Sequence, residues 1–222
     1  MKRGTGFAAR VAAAFPAVNP LPPLLWHALD WLDVNGFVGG GKSGNVARLY
    51  PGAEPGSSVI TLKVPRIEDT RAWTRSDQAA VNDRLVLFVD TGLDGSRAGL
   101  WLDDHGHQRL VHVGAPEGPA LLCELADDPM HLLRLLALGY PELSAPDYFA
   151  MAPAEAYAMG YGPAEDYRPP LRFRALVERD LDLDVPATAS IIVRRIASLH
   201  DHQSDDRFWR WLVGARARIG QA

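Results

Sequence analysis

Residues 84–114 place three apolar segments of strand length close together, and this constrains the fold more than any other part of the sequence. "RLVLFVD" (84–90) is almost continuously apolar, which is typical of a central strand covered on both faces. "RAGLWLD" (97–103) and "QRLVHVG" (108–114) alternate between apolar and polar residues, as strands with one buried face do. The turn "DDHGHQ" predicts a hairpin in which Gly106 adopts a positive φ. The sequence therefore predicts an antiparallel meander.

Helical patterns lie on both sides of this meander, which favours an α+β fold over a strict alternation of strands and helices. In "DDPMHLLRLLALGY", Asp127 or Asp128 is the expected cap, Pro129 the first helical residue and Gly139 the terminator. In "LLWHALDWLDVNG", leucines recur at helical spacing before an Asn-Gly terminator. Further helices are predicted at residues 7–15, 67–83, 171–181, 188–200 and 205–218. Further strands are predicted at residues 46–50, 57–64 and 121–125.

The length of 222 residues, with 47% hydrophobic and 23% charged residues, suits one large globular domain. We therefore expect a single α+β domain over residues 1–222, in which a mixed, mostly antiparallel sheet packs against helices. Residues 1–19 are expected to form a helical N-terminal extension. Residues 144–170, rich in Pro, Ala, Tyr and Gly, are expected to form a loop excursion, and residues 171–222 the C-terminal helices.

The net charge of −4 argues against nucleic-acid binding and suits a basic protein partner better. The apolar N-terminal stretch is interrupted by Arg10, so we predict an amphipathic helix rather than a signal peptide, and a cytoplasmic protein. No window approaches 18 apolar residues, so no membrane contact is expected. The single cysteine, Cys123, lies in the apolar run "ALLCEL" and is predicted to be a buried structural thiol.

The stretch "NGFVGGGKSGNVARLYPG" contains a complete phosphate-loop pattern. A phosphate loop needs a strand before it and a helix after it, whereas here a helical pattern precedes it and a Gly-Asn step and a proline follow. Two interpretations stay open. The favoured one is a glycine loop that leads into an edge strand. The alternative is a nucleotide-binding kinase or NTPase, locally similar to shikimate kinases, that uses Gly36, Gly41, Lys42, Ser43 and the strand-terminal Asp90.

Other candidate chemistry is sparse. Asp103, Asp104, His105 and His107, with His112 nearby, have the side chains of metal ligands. A hairpin tip whose histidines face water explains them better, so no metal is expected. The sequence contains no nucleophile elbow, zinc-protease motif, Cys-x-x-Cys pair or dinucleotide fingerprint. We therefore predict a non-enzymatic protein without a cofactor.

The segment from Leu85 to Leu143 resembles the SUKH superfamily, which includes the Smi/Knr family. The resemblance lies in the order of five short motifs. These are an apolar strand, the step Asp94-Gly95-Ser96, a strand with an aromatic and acidic ending at 101–104, a strand ending at 112–114, and the helix "LLRLLALGYPEL". Similarity extends upstream to "LPPLLWHALDWLDVNG" and downstream to "LRFRALVERDLDLDVPATASIIV", so it covers about residues 20–195.

This resemblance implies a single α+β domain with a mixed sheet and no catalytic constellation. Bacterial members are immunity proteins that bind and neutralise a cognate toxin, often a nuclease or another enzymatic toxin domain, inside the producing cell. Fungal members act as regulatory interaction proteins. We therefore expect a toxin-binding immunity protein, with a regulatory or scaffold domain as the alternative.

The loops between the central strands are the predicted contact region. An acidic, aromatic surface there would attract a basic toxin face by electrostatic steering and would cover the toxin's active site. The predicted contact residues are Asp94, Trp101, Asp103, Asp104 and Glu117.

Overall fold

The computed structural model describes residues 6–39, 46–52, 54–115 and 121–217. Its centre is a seven-stranded sheet whose neighbouring strands follow chain order. The strands are β1 (Val38–Gly39), β2 (Val46–Arg48), β3 (Thr61–Lys63), β4 (Leu85–Asp90), β5 (Arg97–Leu102), β6 (Gln108–Val113) and β7 (Leu122–Ala126). Every described pairing is antiparallel, so the sheet is a plain meander and not the mixed sheet expected. The α+β class is confirmed.

The three central strands form as their apolar patterns predict. The first five residues of β4 are buried, as expected for a strand covered on both faces. The register aligns Leu85, Trp101 and Arg109 on neighbouring strands, so these side chains share one face of the sheet. Gly106 has a φ of 78°, which confirms the tight turn between β5 and β6.

The helices are α1 (Phe7–Ala13), α2 (Pro23–Val34), α3 (Ile67–Thr74), α4 (Ala79–Asn82), α5 (His131–Leu138), α6 (Pro153–Gly160), α7 (Leu171–Ala175) and α8 (Arg207–Ala217). α8 covers the Trp101 face, where the Trp101 ring lies 5.6 Å from the rings of Phe208 and Trp211. On the opposite face Phe15 packs edge-on against Phe88 at 5.5 Å. Helices on both faces therefore bury the meander.

The predicted helix terminators are confirmed. Gly36 and Gly139 adopt φ values of 80° and 82° just beyond α2 and α5, a region that side-chain-bearing residues rarely occupy. The Asp128 carboxylate accepts the Met130 N–H at 2.8 Å, so Asp128 caps this turn. Pro129 lies two residues before the regular helix, which begins at His131 after a tighter first turn.

Two predicted helices are wrong in extent. Residues 67–83 form α3 and α4, because Arg75 takes a left-handed conformation and Asn82 donates to the Ser76 carbonyl at 2.7 Å. Residues 188–200 contain only the 3-10 turn Ala189–Ile191. After this turn the backbone pairs with the sheet, and the Leu122 N–H donates to the Ala197 carbonyl at 2.8 Å.

The excursion at 144–170 is more structured than one short helix. It contains α6 and the 3-10 turns Pro146–Ala150 and Ala164–Asp166. α7 continues into the π-helical turn Leu176–Asp180. No helix in the described ranges is long and apolar enough to cross a bilayer.

Candidate functional site

The predicted contact residues lie at two opposite ends of the sheet. Because β4, β5 and β6 are antiparallel neighbours, the β4–β5 turn with Asp94 is at one end. Trp101, near the end of β5, and Asp103 and Asp104, in the β5–β6 turn, lie at the other end. Glu117 lies outside the described residues. The four described residues therefore do not form one surface, and each end is a separate candidate site.

At the first end, the segment after α5 returns to the β4–β5 turn. The Leu143 N–H donates to the Thr91 carbonyl at 2.9 Å. A Cβ on Gly92 would lie 2.8 Å from Ser144 Oγ, 2.9 Å from Asp94 Oδ1 and 3.0 Å from Glu142 Oε2, so these three side chains converge on Gly92. The return of the chain thus places Glu142 beside Asp94, although 48 positions separate them in the sequence.

Two tyrosines lie against these carboxylates. Burial and the Glu142 charge raise the pKa of Tyr161, with further contributions from Tyr148 and Asp94. Burial, Glu142 and Asp147 raise the pKa of Tyr148. Each tyrosine therefore lies within electrostatic range of an acidic group, as expected where negative charge is concentrated.

The same end exposes apolar surface. Leu93, at the tip of the β4–β5 turn, is 81% exposed, and Tyr161 is 36% exposed. No arginine or lysine of the described residues forms an ion pair with Asp94, Glu142 or Asp147. We call the group Leu93, Asp94, Glu142, Asp147, Tyr148 and Tyr161 the acidic end.

At the opposite end, Trp101 is not a surface aromatic. It is 2% exposed and packs against Phe208 and Trp211 of α8, and the Arg84 guanidinium lies 5.7 Å from its ring centroid. Among the described residues, its Nε1–H has no acceptor. An unpaired buried donor costs about 1–3 kcal/mol.

Asp103 is also internal. Its carboxylate accepts the backbone N–H groups of His105 and His107 at 2.9 Å each, and Arg109 Nε at 2.9 Å. Burial acts to raise the pKa of Asp103, but the His107 N–H and Arg109 outweigh it and hold that pKa at about 2. Asp103 therefore organises the turn from within.

Of the predicted residues at this end, only Asp104 is well exposed, and Arg84 Nη2 donates to its carboxylate at 2.8 Å. The imidazoles of His105 and His107 extend from the turn, with ring centroids 6.4 Å apart. No cluster of three or more metal-ligating side chains occurs within the ranges that the structure describes.

His112 lies apart from the turn histidines, completely buried in β6. Its Nδ1 is 2.9 Å from the Leu121 carbonyl, and its Nε2 is 2.8 Å from the Thr91 hydroxyl. The chain of contacts continues to Ser96 and ends at Asp94. Burial is the largest influence on His112 and lowers its pKa to about 4. A hydrogen-bonded network thus connects the sheet interior to the acidic end.

The nucleotide alternative lacks its usual scaffold. Gly36 ends α2, and the following segment connects the antiparallel strands β1 and β2 instead of a strand and a helix. Asp90 is held by Lys63 at 2.6 Å and by Arg97 at 3.3 Å. Gly41, Lys42 and Ser43 lie outside the described residues.

We therefore expect no thermal stabilisation by Mg-ATP or Mg-GTP. Saturation at about 100 times the dissociation constant would add about 2.7 kcal/mol to a protein that binds only in its native state. The measurement is a thermal melt with and without nucleotide, with the Lys42→Ala variant in parallel. A shift that the variant abolishes would restore the nucleotide interpretation.

No family model, curated protein or solved structure matches the chain. Its function is therefore inferred from its own residues and from the motif resemblance.

Sequence reasoning missed Glu142 and Tyr161 at the acidic end, and Arg84, Arg210 and Trp211 at the opposite end. For Glu142 and Tyr161, the sequence shows only that residues 142–161 are rich in carboxylates and tyrosines. No local pattern shows that this segment returns to the β4–β5 turn. The arginine and tryptophan content of "RFWRWLVG" was visible, but not its position over Trp101.

Proposed function

We propose that this protein is a non-enzymatic binding domain of the immunity type, which neutralises a toxin by binding it through the acidic end. One observation carries the proposal: three carboxylates without a described ion-pair partner lie beside two tyrosines at this end of the sheet. Asp94 and Glu142 are close to the exposed Tyr161, and Glu142 and Asp147 are close to Tyr148. The occupant is a basic protein surface, because that is the complement of this charge.

The composition of the acidic end suits protein recognition. Tyrosine is enriched at the centres of protein interfaces, and an exposed leucine adds apolar area that association removes from water. Carboxylates around this apolar area accelerate encounter with a basic partner and repel acidic ones. Their mutual repulsion in the free protein is relieved when a lysine or arginine of the partner lies between them.

The immunity role rests on the resemblance to the SUKH superfamily. In that role the basic partner is an enzymatic toxin domain, and covering its active site is sufficient to neutralise it. A regulatory partner would use the same surface chemistry, so the identity of the partner separates these two roles.

Association with the basic partner should depend strongly on salt. Screening of exposed charges at high ionic strength should weaken the complex about tenfold or more between low and high salt. The measurement is a titration of the purified partner at several salt concentrations. An affinity that does not change with salt would remove the electrostatic part of the proposal.

The partner is obtained by affinity capture from the cells that encode the protein, followed by mass spectrometry. The capture compares the native chain with a triple variant, Asp94→Asn, Glu142→Gln and Asp147→Asn. A matched control removes three exposed carboxylates elsewhere: Glu68→Gln, Asp77→Asn and Asp205→Asn. We expect the native chain and the control to retain one stoichiometric protein that the triple variant loses.

Growth protection then tests the immunity role. The captured protein is produced alone, with the native chain, with the matched control and with the triple variant. Toxicity that only the native chain and the matched control relieve supports immunity. A captured protein without toxicity would contradict the immunity role, and equal protection by the triple variant would place the interface elsewhere.

A further inference from the structure

The end of the sheet opposite the acidic end contains a cleft between the β5–β6 turn and α8. Its volume is about 430 Å³, within the usual range of small-ligand pockets. Trp101 and Trp211 border the cleft with the small part of each ring that stays exposed, 2% and 9%, and the Arg84 guanidinium lies 5.7 Å and 5.3 Å from their ring centroids. Arg207 and Arg210 line the cleft from α8.

The hydrogen-bond donors of this cleft are only partly used. Arg84 donates from Nε to the Leu102 carbonyl and from Nη2 to Asp104, and no described residue accepts from its Nη1. Arg210 donates only to the Asp205 carbonyl within the described chain and has no carboxylate partner. Trp101 Nε1–H is also unpaired among the described residues but buried, so the donors available to a ligand are those of Arg84 and Arg210.

The charges of the lining define the charge of the ligand. Arg207 already pairs with Glu124, and Asp103 already pairs with Arg109, so the charges left in the lining are those of Arg84, Arg210 and Asp104. One positive charge therefore remains. A singly charged anion complements this balance, whereas a dianion would place excess negative charge beside Asp104.

We propose that the cleft binds a monocarboxylate carried on a flat, apolar group. The carboxylate pairs with Arg84 and Arg210, and the flat group lies against the exposed part of the Trp211 ring. Guanidinium groups match carboxylates geometrically, and stacked aromatic walls favour planar apolar groups. This site is separate from the acidic end, since the two occupy opposite ends of β5, and it does not depend on the toxin partner.

Such a carboxylate could belong to a free aromatic acid or to the C-terminus of a peptide that ends in an aromatic residue. The probes are benzoate for the first source and N-acetyl-phenylalanine for the second. Benzamide, which has the same ring without the charge, is the control ligand. The readout is the Trp101 indole N–H resonance, followed through a titration of the full chain.

We expect at least one acid to shift this resonance and to saturate in the millimolar range or tighter. Benzamide should bind about tenfold more weakly, because it forms no charge-assisted hydrogen bonds. Saturation by benzoate alone assigns a free acid, and saturation by N-acetyl-phenylalanine alone assigns a peptide terminus. Saturation by both shows that the cleft recognises the shared group. Binding by neither acid, or equal binding of benzamide, would overturn the proposal.

Variants distinguish this site from general anion binding. Arg210→Gln should weaken the acid about tenfold, since Arg210 is exposed and has one backbone acceptor. Arg66→Gln removes an exposed arginine outside the cleft and should leave affinity unchanged. Arg84→Gln should weaken binding further, but it also removes structural contacts. Arg210→Gln therefore decides: native affinity in this variant would contradict the proposal.

Discussion

Replacing Asp103 with asparagine is expected to lower the free energy of unfolding by about 3–5 kcal/mol. The carboxylate is buried and accepts two backbone N–H groups and the Arg109 guanidinium. Asparagine presents an NH₂ group to one of these donors and leaves the Arg109 charge without its partner. Denaturant unfolding of the native chain and the variant measures the difference.

The exposed neighbour Asp104 is the matched control. Asp104→Asn loses only its pair with Arg84 and should change stability by about 0–1 kcal/mol. Equal, small effects of the two substitutions would show that Asp103 does not organise the turn. Because Asp103 is stabilised as a carboxylate inside the turn, we also expect the free energy of unfolding to fall in strong acid. Because the pKa of Asp103 is held at about 2, below its ordinary 3.8, its contribution is present above 3.8 and lost as pH falls through 2.

The meander was predictable because its determinants are local. Strand positions in 84–114 follow from alternation of apolar residues, and the turn at Gly106 follows from a residue that tolerates positive φ. The ends of α2 and α5 follow from Gly36 and Gly139 for the same reason. Residues adjacent in the chain determine these strands, turns and helix ends, so they can be predicted from the sequence alone.

Burial of polar and aromatic turn residues was not predictable in this way. Trp101 and Asp103 have the composition of an interface, but whether they face solvent depends on α8. That helix begins over 100 residues later, and Arg207 reaches back to Asp103 and Glu124. Likewise, Glu142 joins Asp94 only because the chain after α5 returns to the β4–β5 turn. Contacts between distant parts of the chain therefore determine which residues of the candidate site are exposed and which lie together.

The failed helix at 188–200 has a related cause. Five of its thirteen residues are β-branched and have modest helix propensity, and Leu121 and Leu122 offer backbone partners beside β7. Pairing there satisfies the Leu122 N–H and the Ala197 carbonyl in a buried setting, where an unpaired group costs about 1–3 kcal/mol. Tertiary hydrogen bonding therefore prevails over a weak local preference for helix.

Acidification should destabilise the protein through His112 before the carboxylates titrate. The pKa of His112 is about 4 in the folded chain and about 6.5 when unfolded, so the fold favours the neutral ring. This contribution is complete above pH 6.5 and falls as pH decreases toward 4, a loss of about 3 kcal/mol. Denaturant unfolding across this range measures it. His112→Gln should remove most of this slope and leave the part due to His131, whose pKa burial also lowers, and the exposed His107→Gln should retain the full slope.

The hydrogen-bond network around His112 opposes the effect of burial on its pKa. A neutral ring donates from Nδ1 to the Leu121 carbonyl and accepts the Thr91 hydroxyl, and Ser96 donates to Asp94. Both hydroxyl protons are then used, so neither Thr91 nor Ser96 can donate a hydrogen bond across the 2.9 Å that separates their oxygens. An imidazolium would complete the chain, and the Asp94 charge favours it. Burial opposes the charge more strongly, so we expect the His112 resonances to stay constant down to about pH 4. If His112 instead titrates above pH 6.5 and stability rises on acidification, the hydrogen bonds of the imidazolium outweigh the cost of burying its charge.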